Sequence, residues 1–296
     1  MDTRQVLSSG STHLGDLVGH VFDILTIARP ATPSAALNLS RTISKLSPFL
    51  GNMIEFNTVE FLNARPEYAP YGRWIRQDPG FPDTLFQGTV HPQPGFEIKA
   101  WFPLATEITA RFRDSQSHFR DDQTSVCLLA WLPDNLLFGR PRILDVCVTS
   151  GKSVAEARDA HYHNPPDYLV LEPEDTTHRT PNLQQTNTNG FKFQGTDQDL
   201  VRAKQLVAGW GPDGTRYRTS RDYQDRIRLL FGQFPYRLDT NFAKLDRIVH
   251  PDIEHFKTRV MAYRLHGRTI AEWSNLLYKA PDTLKASALT SLLETR

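Results

Sequence analysis

Two carboxylates and a lysine in the middle of the chain have a spacing that suits metal-dependent chemistry. Asp83 follows a proline, and after thirteen further residues the chain continues with Glu97, Ile98 and Lys99. Because alternate residues of a strand project to one face, Glu97 and Lys99 point the same way, and an extended segment can bring Asp83 beside them. Paired carboxylates suit Mg²⁺, and an adjacent lysine can orient a water and stabilise charge on a phosphate. The pattern therefore indicates phosphodiester hydrolysis.

The triplet Glu97-Ile98-Lys99 is expected by chance from the composition of the chain, whereas its position in the sequence is more specific. The chain has nine lysines, so about one acidic-x-lysine triplet is expected by chance, and there is one. Of the six Pro-Asp dipeptides, only the one at Asp83 precedes such a triplet at a suitable distance. The triplet also lies in an apolar stretch, residues 96–101, where a charged pair must face a cleft. The alternative is a surface strand with an ordinary Glu–Lys pair.

A longer segment around the triplet resembles a known family. The sequence FPDTLFQGTVHPQPGFEIKAW, residues 81–101, is similar to the motif of the PD-(D/E)XK nuclease superfamily, and in particular of type II restriction endonucleases. The resemblance implies that Asp83 and Glu97 ligate Mg²⁺ with help from the Ile98 carbonyl, and that Lys99 positions the attacking water. It also implies that Asp83 and Glu97 lie on adjacent strands of a mixed sheet.

An upstream segment extends the resemblance. The sequence LGNMIEF, residues 50–56, is similar to the Gly-x-x-Ile-Glu helix that precedes the motif in the branch containing the mismatch-repair endonuclease MutH and Sau3AI-type enzymes. This similarity implies that Glu55 lies beside the metal. Glu60, further along the same helix, is the alternative, and it is equally interpretable as a solvated residue of the helix surface.

Length, hydropathy and cysteine content limit the class of protein. The chain has 296 residues, of which 39% are hydrophobic, enough for a core in one large domain or two small ones. Its longest apolar run, residues 126–132, is too short to span a membrane, and its first residues lack a secretory signal. Two cysteines make no disulfide framework, so we expect a soluble, cytoplasmic protein.

Charge is unevenly distributed, although the net charge of the chain is only +1. Residues 151–200 carry four basic and eight acidic side chains, whereas residues 201–250 carry ten basic and five acidic ones. A nearly neutral protein of this kind can present one electropositive face to a polyanion, and the resemblance to nucleases implies that this polyanion is double-stranded DNA. An unevenly charged, solvated surface is the alternative.

Two segments indicate how DNA is bound. The amide-rich residues 181–194 are poor core material, whereas Asn and Gln pair with adenine edges and lysine can reach guanine. The residues expected to read bases are Gln185, Asn187, Asn189 and Lys192. The residues expected to contact the phosphate backbone are Arg216, Arg218, Arg221 and Arg226. A polar loop without a ligand is the alternative for the first segment.

A sheet and several helices must position these residues. Helical spacing predicts helices over residues 13–28, 34–46, 51–62, 221–231 and 253–265. Apolar and β-branched runs predict strands over residues 96–101, 126–132, 143–148 and 168–171. A further helix over residues 154–162, with Ser153 as its N-cap, would make a right-handed crossover between the last two strands. The expected fold class is α/β (α+β), with a central mixed sheet flanked by helices.

The expected domain organisation is one restriction-endonuclease-like domain over residues 1–296. Residues 1–65 form its helical N-terminal region and residues 66–172 its catalytic core. Residues 173–296 hold the DNA-recognition loop and a helical C-terminal region.

The sequence therefore predicts a Mg²⁺-dependent type II restriction endonuclease that hydrolyses duplex DNA at a short palindromic sequence. Two active sites related by a two-fold axis make a double-strand cut, so we expect a homodimer. The apolar residues expected at its interface, unless they are ordinary core, are Leu14, Val18, Val21, Phe22 and Leu25. The cognate DNA methyltransferase is expected to be a separate protein.

Three alternatives remain at this point. A repair nuclease that nicks one strand or resolves branched DNA would use the same core. A DNA-binding module without catalysis would carry the same charge pattern. A DNA amino-methyltransferase would explain the Asn-Pro-Pro sequence at residues 164–166, although no glycine-rich cofactor loop follows an early strand.

Overall fold

The computed structural model describes two compact units of the chain. The described residues are 1–77, 80–104, 109–110, 122–161, 169–170, 192–193, 197–211, 222, 226, 229, 233, 243–244 and 249–294. The first unit comprises Met1–Thr109, Ser115–Ala155 and Lys244–Arg296, and the second comprises Ala110–Asp114 and Glu156–Ala243. The division of a single domain at residues 65 and 172 stays a prediction.

Three helices occupy the N-terminal region. They are α1 (Thr3–Gly15), α2 (Pro33–Thr42) and α3 (Ser47–Asn63), with 3₁₀ turns at Ile43–Lys45 and Pro66–Tyr68. The hydroxyl of Thr32 caps α2, and Pro33 fits its first turn because that position needs no N–H donor. The helices predicted over residues 34–46 and 51–62 are confirmed within a few residues.

The helix predicted over residues 13–28 is wrong. The helix α1 ends at Gly15, and the chain turns at Gly19, whose φ of 84° suits a residue without a side chain. Beyond this turn the chain is extended and pairs with the last strand of the central sheet. The Gly19 N–H donates to the Ile143 carbonyl at 2.9 Å, and Ile27 forms a bridge with the same strand. The extended segment therefore covers a strand edge.

A five-stranded mixed sheet forms the centre of the first unit. Its strands are β1 (Gly72–Arg76), β2 (Thr84–Gly88), β3 (Gly95–Trp101), β5 (Thr124–Asn135) and β6 (Phe138–Ser150); β4 (Thr109–Ala110) is not part of this sheet. The strand order is β1-β2-β3-β5-β6, in which β3 and β5 are parallel and the other neighbours are antiparallel. The mixed sheet with flanking helices confirms the expected fold class.

The remaining elements follow β6. They are α4 (Gly151–His161), β7 (Leu169–Val170), β8 (Lys192–Phe193), α5 (Asp197–Ala208), β9 (Ala243–Lys244), α6 (Pro251–Ala262), β10 (Arg264–Leu265), β11 (Arg268–Thr269), α7 (Ile270–Lys279) and α8 (Asp282–Glu294). The helix predicted over residues 253–265 corresponds to α6. Most of the helix predicted over residues 221–231 lies outside the described residues.

Two expectations about the region after β6 are wrong. The helix α4 begins at Gly151, so Ser153 lies inside its first turn, where its N–H donates to the Ser150 hydroxyl at 3.3 Å. Ser150 therefore provides the cap that was expected from Ser153. The strand β7 pairs with β8 in a two-stranded sheet, which excludes the predicted crossover onto the central sheet.

Helices cover both faces of the central sheet at β3. On one face α3 approaches so closely that a Cβ at Gly51 would lie 3.6 Å from the Cβ of Ala100. On the other face the ring centroid of Trp101 lies 5.8 Å from that of Phe256 on α6. Because neighbouring residues of a strand point to opposite faces, α3 and α6 lie on opposite sides of β3.

The end of α3 is fixed to the edge strand β1 by one amide side chain. Asn63 accepts a hydrogen bond from the Trp74 N–H at 2.8 Å and donates one to the Trp74 carbonyl at 2.9 Å. The side chain thus satisfies both backbone groups that a further strand would satisfy. This contact sets the position of α3 relative to β1.

The two cysteines of the chain lie on neighbouring strands of the central sheet. Cys127 and Cys147 are buried and free, as expected of core thiols. Cys127 pairs with Val148 and Cys147 with Leu128 across β5 and β6, so the two thiols point to opposite faces of the sheet.

Within the described part of the chain, no helix has the length and apolar character that crossing a membrane requires.

Candidate active site

Asp83 and Glu97 lie side by side where β2 begins. The antiparallel register pairs Thr84 with Phe96, so the next residues along, Asp83 and Glu97, face each other. The Asp83 N–H donates to Glu97 Oε2 at 3.2 Å. Residues opposite each other in an antiparallel pair project to the same face of the sheet, so both carboxyl groups reach one place.

The ammonium group of Lys99 lies between these two carboxylates. Its Nζ is 2.9 Å from Asp83 Oδ2 and 2.7 Å from Glu97 Oε1, and it donates to the Ile98 carbonyl at 3.1 Å. The three oxygens belong to the residues that the resemblance implies as metal ligands, and they already surround one positive charge. The structure thus brings the residues of the motif together, while their role in catalysis stays a prediction.

Carboxylates occupy the edge of β3 beyond the start of β2. In the described part of the chain, β2 pairs with β3 only as far as Phe96, and the N–H groups beyond it need other acceptors. The Ile98 N–H donates to Asp83 Oδ2 at 2.8 Å, and the Ala100 N–H donates to the carboxylate of Glu55. The hydrogen-bond demand of an open strand edge therefore fixes two carboxylates beside Lys99.

Glu55 reaches this edge from α3. Gly51 lies one turn earlier on the same helix, at the close contact with β3. The charges of Lys99 and Asp83 both act on the Glu55 carboxyl, which therefore belongs to the same cluster. Glu60, the alternative, is exposed on the helix. We refer to Glu55, Asp83, Glu97 and Lys99 as the carboxylate–lysine cluster.

Burial changes the proton affinity of the carboxylate–lysine cluster. Burial raises the pKa of Glu97 to about 7. The positive charge of Lys99 lowers this pKa, and the negative charge of Asp83 raises it. Burial raises the pKa of Glu55 to about 7 in the same way, with Lys99 and Arg76 opposing it. Burial also opposes the charge of Lys99, but attraction by Glu97 and Asp83 outweighs burial and holds its pKa above the ordinary value. Lys99 is therefore a cation at neutral pH.

The donors of the cluster fit a small, hard cation. The side chain of Glu97 is 6% exposed, whereas those of Lys99 and Asp83 are 19% and 24% exposed, so the cluster is reached from the Asp83 side. Among the described residues, no group of three or more His, Cys, Asp and Glu side chains is arranged to hold a metal ion. Mg²⁺ commonly takes one or two carboxylates and completes its shell with water and phosphate oxygens. Two carboxylates and a carbonyl therefore suffice for it.

Comparison with known proteins assigns no role to this cluster. Comparison with protein-family models, curated proteins and solved structures finds no match. The interpretation of the cluster therefore depends on its residues and on the geometry that they adopt.

The described structure does not test the predicted DNA-binding residues. Two of them are described in part: Lys192 lies in β8, and Arg226 is helical and exposed. The others lie outside the described residues; they are Gln185, Asn187, Asn189, Arg216, Arg218 and Arg221. Their contacts with DNA stay predictions, and so does the alternative interpretation of residues 164–166.

Two residues next to the cluster were missed from the sequence. Arg76 ends β1, donates to the Asn52 carbonyl at 3.4 Å, and lowers the pKa of Glu55 through its charge. Gln77 follows it; its N–H donates to the Asp83 carbonyl at 2.8 Å and its side chain donates to the Pro82 carbonyl at 3.0 Å. Gln77 thus holds the segment that carries Asp83. Only the register of the hairpin β1–β2 brings both residues there, and no local spacing in the sequence reveals it.

Proposed function

We propose that the protein is a Mg²⁺-dependent endodeoxyribonuclease of the type II restriction class, which cuts duplex DNA at a short palindromic sequence. The observation that carries the proposal is the position of Lys99, between the carboxylates of Asp83 and Glu97 and beside the Ile98 carbonyl. A surface ion pair needs neither a second carboxylate nor a buried partner. The carboxylate–lysine cluster has both, which supports a catalytic role.

The residues of the cluster divide the chemistry between them. Asp83, Glu97 and the Ile98 carbonyl would hold Mg²⁺, which supplies a polarised water and neutralises charge on the phosphate. Lys99 keeps its proton, so it serves as a cation that orients the water and stabilises the phosphate oxygens, rather than as the base. Glu55, with a pKa of about 7, is able to accept a proton near neutral pH. The water oxygen bonds to phosphorus as the bond to the leaving oxygen breaks.

Incubation of supercoiled plasmid DNA with the protein tests the proposal. Linear product with Mg²⁺, and no cleavage with EDTA, is the result that supports it. Product that stops at nicked circles indicates a nicking repair nuclease with the same core. Binding without any cleavage indicates a DNA-binding module and contradicts the proposal.

We expect the protein to be a homodimer in solution or on DNA. A symmetric double-strand cut is made most simply by two active sites related by a two-fold axis. Of the residues expected at the interface, Leu14 and Phe22 are buried core, whereas Val18 and Leu25 are 52% and 40% exposed. Val21 is half-buried, so the exposed pair is the part of this set most available to a second copy. Sedimentation that shows a strict monomer, both free and on cognate DNA, would contradict this expectation.

A further inference from the structure

Arg76 lies beside the carboxylate–lysine cluster on the side of Glu55, on a strand that the sequence motif does not include. It is the last residue of β1 and pairs with Thr84, the residue that follows Asp83. Its guanidinium donates to the Asn52 carbonyl, one helical turn before Glu55 on α3. Arg76 therefore lies between the segment that carries Asp83 and the helix that carries Glu55, and it is half-buried.

The charges of the cluster create a need for a cation in this position. A phosphodiester is an anion, and the three carboxylates of Glu55, Asp83 and Glu97 repel it. The ammonium of Lys99 lies between two of these carboxylates, at 2.9 and 2.7 Å, so part of its charge is offset by them. Arg76 is a second cation near the cluster, on the side of Glu55, and its charge already acts on that carboxyl. A guanidinium binds phosphate oxygens with two parallel hydrogen bonds, which an ammonium does not.

We propose that Arg76 binds a phosphate group of the DNA strand beside the carboxylate–lysine cluster and so holds the strand against it. The inference rests on the proposed function for the identity of the substrate, a duplex DNA phosphodiester. Arg76 is a substrate-binding residue in this account. The alternative is a purely structural residue that ties α3 to β1.

Binding of a duplex DNA fragment across a salt series tests the role of Arg76 apart from cleavage. The proteins compared are the wild type, Arg76→Ala, Arg76→Lys and Arg73→Ala, with Ca²⁺ in place of Mg²⁺. Arg73 is the matched control because it is an exposed arginine of the same strand that pairs with Gln87, towards the end of β1 and β2 remote from Asp83. Melting temperatures of all four proteins, measured under the same conditions, report any loss of folding.

We expect Arg76→Ala to raise the Kd for DNA by about 10- to 100-fold, the usual loss for a hydrogen-bonded charge. The slope of log Kd against log salt should fall by about one unit, as for the loss of one phosphate contact. Arg76→Lys should keep the slope and lose part of the affinity, and Arg73→Ala should bind like the wild type. An Arg76→Ala variant with unchanged affinity, or with weaker binding, an unchanged slope and a lower melting temperature, would overturn the inference.

Cleavage of the same DNA in Mg²⁺ separates this inference from the proposed function. If the wild type cuts DNA but Arg76→Ala binds it normally, the inference fails and the proposed function stands. If the wild type does not cut DNA but its binding depends on Arg76 with the expected change in slope, the phosphate contact stands and the nuclease proposal fails. If the wild type neither binds nor cuts DNA, both fail.

Discussion

Replacement of Lys99 by alanine is expected to lower Mg²⁺-dependent cleavage by about 10³-fold or more, while leaving DNA binding nearly unchanged. In the proposed mechanism Lys99 acts on the attacking water and on charge that develops during the reaction, whereas affinity would come from phosphate and base contacts elsewhere. Asp83→Ala should lose cleavage to a similar extent, because it removes a metal-side carboxylate. Single-turnover cleavage rates and Kd values for the same duplex measure the two effects separately.

Lys152→Ala is the matched control for this prediction. Lys152 is an exposed lysine in the first turn of α4, so its replacement removes the same charge from the protein surface. It should cleave DNA at the wild-type rate. Cleavage by Lys99→Ala within a few-fold of the wild type would show that the assignment of the cluster is wrong.

Glu97→Gln is expected to abolish cleavage and yet to make the folded protein more stable at pH 8. Burial raises the pKa of Glu97 to about 7, so the folded state binds this proton more tightly than the unfolded state does. Glu97 therefore contributes stability that is complete below its unfolded pKa of about 4.5 and is lost as the pH rises through about 7. Glutamine does not titrate, and Lys99 still has Asp83 at 2.9 Å in the variant. Melting temperatures at pH 5 and pH 8 measure the difference.

The stability of the folded protein should also depend on Mg²⁺. The cation binds ionised carboxylates, so it should stabilise the wild type more at pH 8 than at pH 5, and should stabilise Glu97→Gln little at either pH. Glu60→Gln, an exposed carboxylate on α3, is the matched control and should behave like the wild type. A Glu97→Gln variant that is less stable than the wild type at pH 8 would indicate that Glu97 serves only as the structural partner of Lys99.

The parts of the site that follow from the sequence are those set by local periodicity. Glu97 and Lys99 share one face because β3 is a strand, and alternation within residues 96–101 is enough to predict it. Glu55 follows from a helix of known spacing, since α3 carries Gly51 and Glu55 one turn apart. These relations depend on residues within one element, and the structure reproduces each of them.

The parts that do not follow depend on pairing between distant segments. Arg76 reaches Glu55 only because β1 pairs with β2 in one register and Asn63 fixes α3 to β1. Parallel pairing of β3 with β5 joins segments separated by more than twenty residues, and no short-range pattern encodes it. Apolar spacing over residues 13–28 is compatible both with a helix and with an extended segment at a sheet edge. The signal that shows where α1 begins is the capping box at Asp2, which the sequence analysis missed.

Digestion of DNA of known sequence, followed by mapping of every fragment end, tests the central claim most directly. Wild type and Lys99→Ala are prepared identically and incubated with the DNA in Mg²⁺ and in EDTA. We expect wild type in Mg²⁺ to produce ends that all share one short palindromic sequence, and the other three reactions to leave the DNA intact. Intact DNA in every reaction, or the same fragment ends from Lys99→Ala, would contradict the claim that the cluster of Asp83, Glu97 and Lys99 hydrolyses DNA.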